Sequence, residues 1–141
     1  MELTPAIRCA LRILLSLAEE PLKPAPFDEL ARVANASTGL VRRTVDALAE
    51  ARLVQSISGG YRLGFSERAI HLSDVFAALA ARPGPATCAL ATVSCNAGAP
   101  CPMCWVLIEA DIAAMESLRT HTLASLRREM AARLTGHASC S

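Results

Sequence analysis

Aromatic side chains are scarce in this chain, with one Trp, one Tyr and three Phe among 141 residues. With 52% hydrophobic residues, the core must therefore be built from Leu, Ala, Val and Ile, a composition that favours helices over a sandwich of strands. Net charge is nearly absent as well, at +1, so any surface for nucleic acid has to be a local patch. No apolar run approaches the roughly 20 residues that a membrane span requires. The apolar stretch Ile13-Leu14-Leu15 is preceded by Arg12 and followed by Glu19-Glu20 without a small-residue cleavage site, which points to a cytoplasmic protein rather than a secreted one. A nucleophile–base pair, a phosphate loop and an acidic pair are all missing, so an enzyme is not expected. The length suits one domain with a core, plus a long helix that needs a partner surface.

Helical spacing appears first at Ile7, Leu11, Leu14, Leu15 and Ala18, and Pro21, Pro24 and Pro26 follow as a rigid connector. Phe27, Leu30, Ala31 and Val33-Ala34 predict a short second helix ending near Asn35, with Pro26 in its first turn. Ser37 is the expected N-cap of a third helix. Leu40, Val41, Thr44, Val45 and Leu48 line one side of it and leave Arg42 and Arg43 on the other. The period then changes. Leu53 to Ile57 and Tyr61 to Leu63 predict two strands joined by a tight turn at Ser58-Gly59-Gly60. Ile70, Leu72, Val75, Phe76 and Leu79 predict a fourth helix capped by Ser73 or begun slightly earlier. Further on, Trp105, Ile108, Ile112, Met115 and Leu118 form a narrow apolar seam suited to a partner helix, and Leu123 to Leu134 is a second, more basic helical stretch. Gly136 to Ser141 has the look of a frayed tail.

Helix, turn, helix and hairpin in this order describe a winged helix, which places the third helix in the DNA major groove. Arg42 and Arg43 are candidates for base edges or phosphates, and the helix start at Ser37 and Thr38 for a phosphate oxygen. Tyr61 and Arg62 are the candidates on the wing. Taken alone, two arginines on a helix describe a solvated face; the hairpin that follows shifts the balance.

The 22 residues from Pro83 to Cys104 carry no charged side chain, four prolines, two glycines and four cysteines. Cys88, Cys95, Cys101 and Cys104 are spaced C-x6-C-x5-C-x2-C. Four thiolates held close together repel, so the loop needs a cation. Zinc takes four cysteine ligands, but structural zinc loops usually supply two C-x2-C knuckles and only Cys101 and Cys104 make one here. A wider, uneven spacing suits an iron–sulfur cluster. The spacing leaves cluster, zinc and thiol–disulfide switch open. Cys9 reads as a buried core cysteine and Cys140 as a tail residue without a role; His71, His121 and His137 lack metal-ligand spacing and read as surface or capping residues.

The chain resembles the winged-helix regulator family that includes the iron–sulfur regulator IscR, the nitric-oxide sensor NsrR and the iron regulator RirA. The likeness runs over nearly the whole chain: Met1-Glu2-Leu3-Thr4 with Ala10-Leu11-Arg12, Leu53-Val54, Gly59-Gly60-Tyr61-Arg62-Leu63, Ile70-x-Leu72-x-Asp74-Val75, the cysteine loop, and Thr122-Leu123. The resemblance implies a homodimer formed through the helix after the loop, here by Trp105, Ile108, Ile112 and Met115, with a cluster near the dimer surface that alters DNA affinity. Cys88, Cys95 and Cys101 match the family's cluster cysteines, the first interval being one residue longer than the commonest pattern. Cys104 falls where IscR-like members have a histidine ligand. Arg8 falls where NsrR-like members carry an acidic ligand, which an arginine cannot replace. The turn of the wing is shorter and less charged than is common in the family. Arg52 stands where a glycine is usual, bringing a positive charge toward the DNA backbone.

The expectation is a mainly α protein: a winged helix-turn-helix over residues 1–82, a cysteine-rich loop over 83–104, a long dimerisation helix and C-terminal helix over 105–134, and a flexible tail over 135–141. Its partners are a double-stranded DNA operator and a second copy of itself, without a membrane. Its function is transcriptional regulation, as a repressor sensing iron–sulfur status, redox stress or nitric oxide. The rival readings are a regulator stabilised by zinc or switched by thiol oxidation, and a non-DNA-binding iron–sulfur scaffold or electron carrier.

Overall fold

The computed structural model describes residues 3–79, 84, 85, 87, 88, 90, 95, 96 and 98–135. Expectations for Pro83, His137, Cys140 and residues 136–141 lie outside these.

Helix α1 spans Pro5–Glu19. It begins two residues before Ile7 because Thr4 caps it, its hydroxyl accepting the Ile7 N–H at 3.2 Å, and because Pro5 takes a first-turn position where no N–H is needed. Ile7, Ala10, Ile13, Leu14, Leu17 and Ala18 form the buried stripe. Helix α2 (Phe27–Ala34) starts one residue later than expected, with Pro26 outside it as N-cap, and stops at Asn35 in the left-handed conformation. Arg12 of α1 donates to the Ala34 carbonyl at 3.0 Å and fixes that corner. Ser37 caps α3 (Thr38–Glu50) through the Leu40 N–H, as the sequence predicts; Val41, Thr44, Val45 and Leu48 are buried while Arg42 and Arg43 face solvent.

The chain leaves α3 through Arg52 at φ 65°, the left-handed region in which glycine is preferred. Strands β1 (Val54–Ile57) and β2 (Gly60–Leu63) pair antiparallel from Val54↔Leu63 to Ile57↔Gly60, so Ser58-Gly59 is a two-residue turn. Leu53, expected in the first strand, is buried just ahead of it. The hairpin does not stand alone. Tyr61 exchanges both backbone hydrogen bonds with Ala25, at 2.8 and 2.9 Å, and this close approach explains Gly60, where a Cβ would lie 2.2 Å from the Ala25 oxygen.

Helix α4 (Leu72–Ala78) begins earlier than a Ser73 cap allows. His71 is the N-cap, because the Asp74 carboxylate accepts the His71 N–H at 2.9 Å, and Ser73 is buried in the first turn. Ile70 and Leu79 flank this helix rather than belong to it. Helix α5 (Pro102–Arg119) starts three residues before Trp105, with Pro102 in the first turn, so Cys104 lies on the helix and not in the loop. Helix α6 spans Leu123–Thr135.

One core runs through the winged helix: Ile13, Leu14, Leu30, Val41, Val45, Leu48, Val54, Ile70 and Val75 are essentially inaccessible. Leu123 of α6 is buried in that same core. The α5–α6 corner is also bound to the chain just after the wing. The Leu123 N–H donates to the Ile70 carbonyl, the Ala124 N–H to the Glu67 carbonyl and the Leu72 N–H to the His121 carbonyl. Arg127 grips Glu67 with two hydrogen bonds of 2.7 Å, and His71 Nδ1 meets the Arg119 carbonyl at 2.9 Å.

Candidate metal centre and nucleic-acid interface

Cys88 and Cys95 come from the segment ahead of α5, Cys101 is the N-cap of that helix and Cys104 sits in its first turn. Local structure brings them together. Between Cys95 and Cys101 the Asn96 carboxamide oxygen accepts the N–H groups of Gly98 and Ala99 at 2.9 and 3.0 Å, forming a turn that sends the chain back on itself. As a result the Cys101 N–H points at the Cys95 sulfur, 3.3 Å away, and Cys88 Sγ lies 3.8 Å from Cys101 Sγ. The four sulfurs all lie within 4.8 Å of one another. No disulfide links the described cysteines.

The position suits anions, because the first N–H groups of an 18-residue helix and its dipole face Cys101 and Cys104. The Cys101 N–H likewise favours a Cys95 thiolate, but desolvation and the neighbouring Cys88 thiol outweigh it and hold the Cys95 thiol above its ordinary value. A thiophilic cation favours the thiolate of Cys95 over its thiol, and the four close cysteines can hold one. Cys9 is different in kind. It is buried on α1 with its thiol pushed up by burial, a core residue as expected.

Ahead of the cysteines, the chain docks on α5 at Gly84. Its N–H donates to Asp111 Oδ2 at 2.6 Å, and at φ +95° a Cβ there would lie 2.6 Å from Ile108 Cγ1. Neither contact is legible in the sequence, since residues 84 and 111 show no periodic relation. The seam expected for dimerisation is split. Ile108 and Met115 are half-buried, while Trp105 and Ile112 remain 53% and 49% exposed, accompanied by Met103 and Val106, which periodicity did not single out.

Ser37, Thr38, Arg42 and Arg43 are exposed along the start and outer face of α3. The Arg42 guanidinium lies 4.0 Å from the centre of the Phe27 ring and donates to the Tyr61 hydroxyl at 3.3 Å. Arg43 folds back on the Gly39 carbonyl of its own helix at 3.4 Å. Neighbouring strand residues point to opposite faces, so Tyr61 meets α3 whereas Arg62 pairs with Gln55 at 3.2 Å on the far side of the hairpin. Arg52 is exposed at the end of α3.

The family model for Rrf2, described as an iron-dependent transcriptional regulator, matches residues 3–129. The chain belongs to the Rrf2 family. The resemblance drawn from the sequence thus holds, and with it the winged-helix fold: Rrf2 proteins are DNA-binding transcription regulators, not enzymes. Among solved structures, the chain is 26% identical to the global cysteine regulator CymR (YrzC) of B. subtilis, with a TM-score of 0.68 over 91% of this chain and 97% of that one. The IscR of T. potens matches with a TM-score of 0.69 at 18% identity, over 92% and 88% of the two chains. The oxidized form of Staphylococcus aureus CymR matches with a TM-score of 0.66 at 20% identity, over 90% and 96%. These last two share the Rrf2 fold. The search of curated proteins returned no match. Among the described residues no helix is long and apolar enough to cross a membrane.

Proposed function

We propose that this protein is a cytoplasmic, operator-binding homodimer, a repressor whose DNA affinity is governed by an iron–sulfur cluster held on Cys88, Cys95, Cys101 and Cys104. Four sulfurs within 4.8 Å at the N-terminus of α5 support a metal centre, and the observation that carries iron is the description of the family as iron-dependent. When bound, a thiolate-held cluster supplies sensitivity to oxidants, nitric oxide and iron supply. The cysteines fix the segment before α5 to the helix start, and Gly84 with Asp111 fixes it a second time. At its other end α5 is bound through Arg119 and His71 to α4, and the α5–α6 corner through Arg127 and Glu67 to the chain after β2. A change at the cysteines is thus carried by one rigid helix to the base of the wing. Residues 1–82 form the DNA-reading unit, in which Ser37, Thr38, Arg42, Arg43 and Arg52 face DNA from α3 and its end while Tyr61 and Arg62 are the DNA-binding residues of the wing, on its two faces; Trp105, Ile108, Ile112 and Met115 of α5 meet the second copy.

A second reading is favoured by one distance. Four sulfurs bound at about 2.3 Å to a single tetrahedral zinc stand about 3.8 Å apart, which is the Cys88–Cys101 separation. Purification without oxygen distinguishes the two. The cluster reading predicts brown protein with equal iron and sulfide, loss of colour in Cys88→Ser, Cys95→Ser or Cys101→Ser, and retardation of its own promoter DNA that changes on exposure to air or nitric oxide. Colourless protein with one zinc per chain, indifferent to both agents, rejects the cluster. Failure to retard promoter DNA in either state rejects the regulator.

A further inference from the structure

An arginine on an exposed helix face ordinarily samples many rotamers. Arg42 is instead held by two residues from two other elements: the ring of Phe27 on α2 lies under its guanidinium at 4.0 Å, and the Tyr61 hydroxyl on β2 takes an N–H at 3.3 Å. Both holders are themselves fixed. Phe27 packs against the core and Tyr61 is bonded through its backbone to Ala25. A guanidinium carries five N–H donors, so a single bond to Tyr61 leaves room for a bidentate contact. Arg43, by contrast, hydrogen-bonds back to the Gly39 carbonyl of its own helix.

Building on the assignment of α3 as the recognition helix, we infer that Phe27 and Tyr61 are positioning residues. They aim Arg42 at a guanine in the major groove, so that Arg42 sets operator specificity and Arg43 supplies sequence-independent phosphate contact. The physical gain is pre-organisation: the rotamer freedom of a long side chain is surrendered before binding, and the planar fork matches guanine O6 and N7.

The test uses full-length protein, a duplex selected by it from random sequence, every single-base variant of that duplex, and poly(dI-dC). Arg42→Ala and Arg42→Lys should flatten discrimination at one G·C pair per half-site by roughly five- to hundredfold. Phe27→Leu should cost roughly two- to fivefold at that same base pair, Tyr61→Phe should act there too, and both effects should vanish in the Arg42→Ala background. Phe27→Tyr, which keeps a ring under the guanidinium, should restore discrimination. Because Tyr61→Phe removes a single hydroxyl, it keeps the test decisive if Phe27→Leu does not fold. The inference is overturned if Arg42→Ala weakens all sequences equally and lowers the salt slope by about 0.9 per contact, the mark of a phosphate contact. It is equally overturned if the Phe27 and Tyr61 effects add to that of Arg42→Ala. Loss of poly(dI-dC) affinity in Arg43→Ala, alongside either result, would leave the DNA face standing and remove only the clamp. If Arg43 and Arg42 variants both bind normally, the DNA face is misplaced.

Discussion

Replacing Arg127 by Met tests the joint between α6 and the chain just after the wing. The two hydrogen bonds to Glu67 are 2.7 Å long, and the side chains of Arg127 and Glu67 are 43% and 22% exposed. Bonds to charged groups contribute about 1.5–3 kcal/mol when sheltered and exposed ion pairs about 0.2–1 kcal/mol, which places this half-sheltered pair at about 1–2 kcal/mol. For a chain of this length that is a fall of about 3–6 °C in Tm at pH 7. The Glu67 carboxyl is held below its ordinary value of 4.5, first by the hydrogen bonds from Arg127. A depressed carboxyl stabilises the fold above its unfolded value and ceases to do so as pH falls through the folded one. The gap in Tm between wild type and Arg127→Met should therefore shrink as pH is lowered from neutrality to below 4.5, where Glu67 becomes protonated. Thermal unfolding followed by circular dichroism across that range decides the matter. A gap that persists undiminished in acid would show that Met disturbs packing instead, and no gap at neutral pH would show that the joint is not held by this pair.

Three other outcomes are expected. Arg52→Gly should raise stability by about 0.5–1 kcal/mol, since it relieves a left-handed residue at the cost of a more flexible unfolded chain, while weakening operator binding; denaturant titration and gel retardation read the two effects separately. Gly60→Ala should destabilise by about 2–4 kcal/mol, because its Cβ would meet the Ala25 carbonyl at 2.2 Å, and proteolysis of the hairpin should report the loss. Titrating zinc into reduced, metal-free protein in weak buffer should release protons, since Cys95 lies above its ordinary thiol value and must ionise to bind; metal uptake without proton release would contradict the crowded-thiol account.

Helix α3 was legible because it carries its own cap and stripe, Ser37 with Val41, Val45 and Leu48. Boundaries were less so. The start of α4 depends on Asp74 reaching back to His71, which outcompetes the Ser73 cap, and the start of α5 on Pro102, which draws Cys104 out of the loop. The unusual glycine position at the end of α3 was visible as Arg52, but only its φ of 65° explains why glycine is favoured there. Phe27 was legible as an apolar residue of a short helix; nothing in its spacing announces that its ring supports Arg42, because that contact joins positions 15 residues apart.

By itself the sequence determined the winged-helix order, the four cysteines as a metal-seeking set and the amphipathic faces, since periodicity, capping and thiolate chemistry act over neighbouring residues. Tertiary structure alone decided which parts meet: the sulfurs at the start of α5, Arg42 between Phe27 and Tyr61, and the α5–α6 corner on the chain after the wing. Those contacts depend on how helices cross in space, and chain spacing carries no record of that.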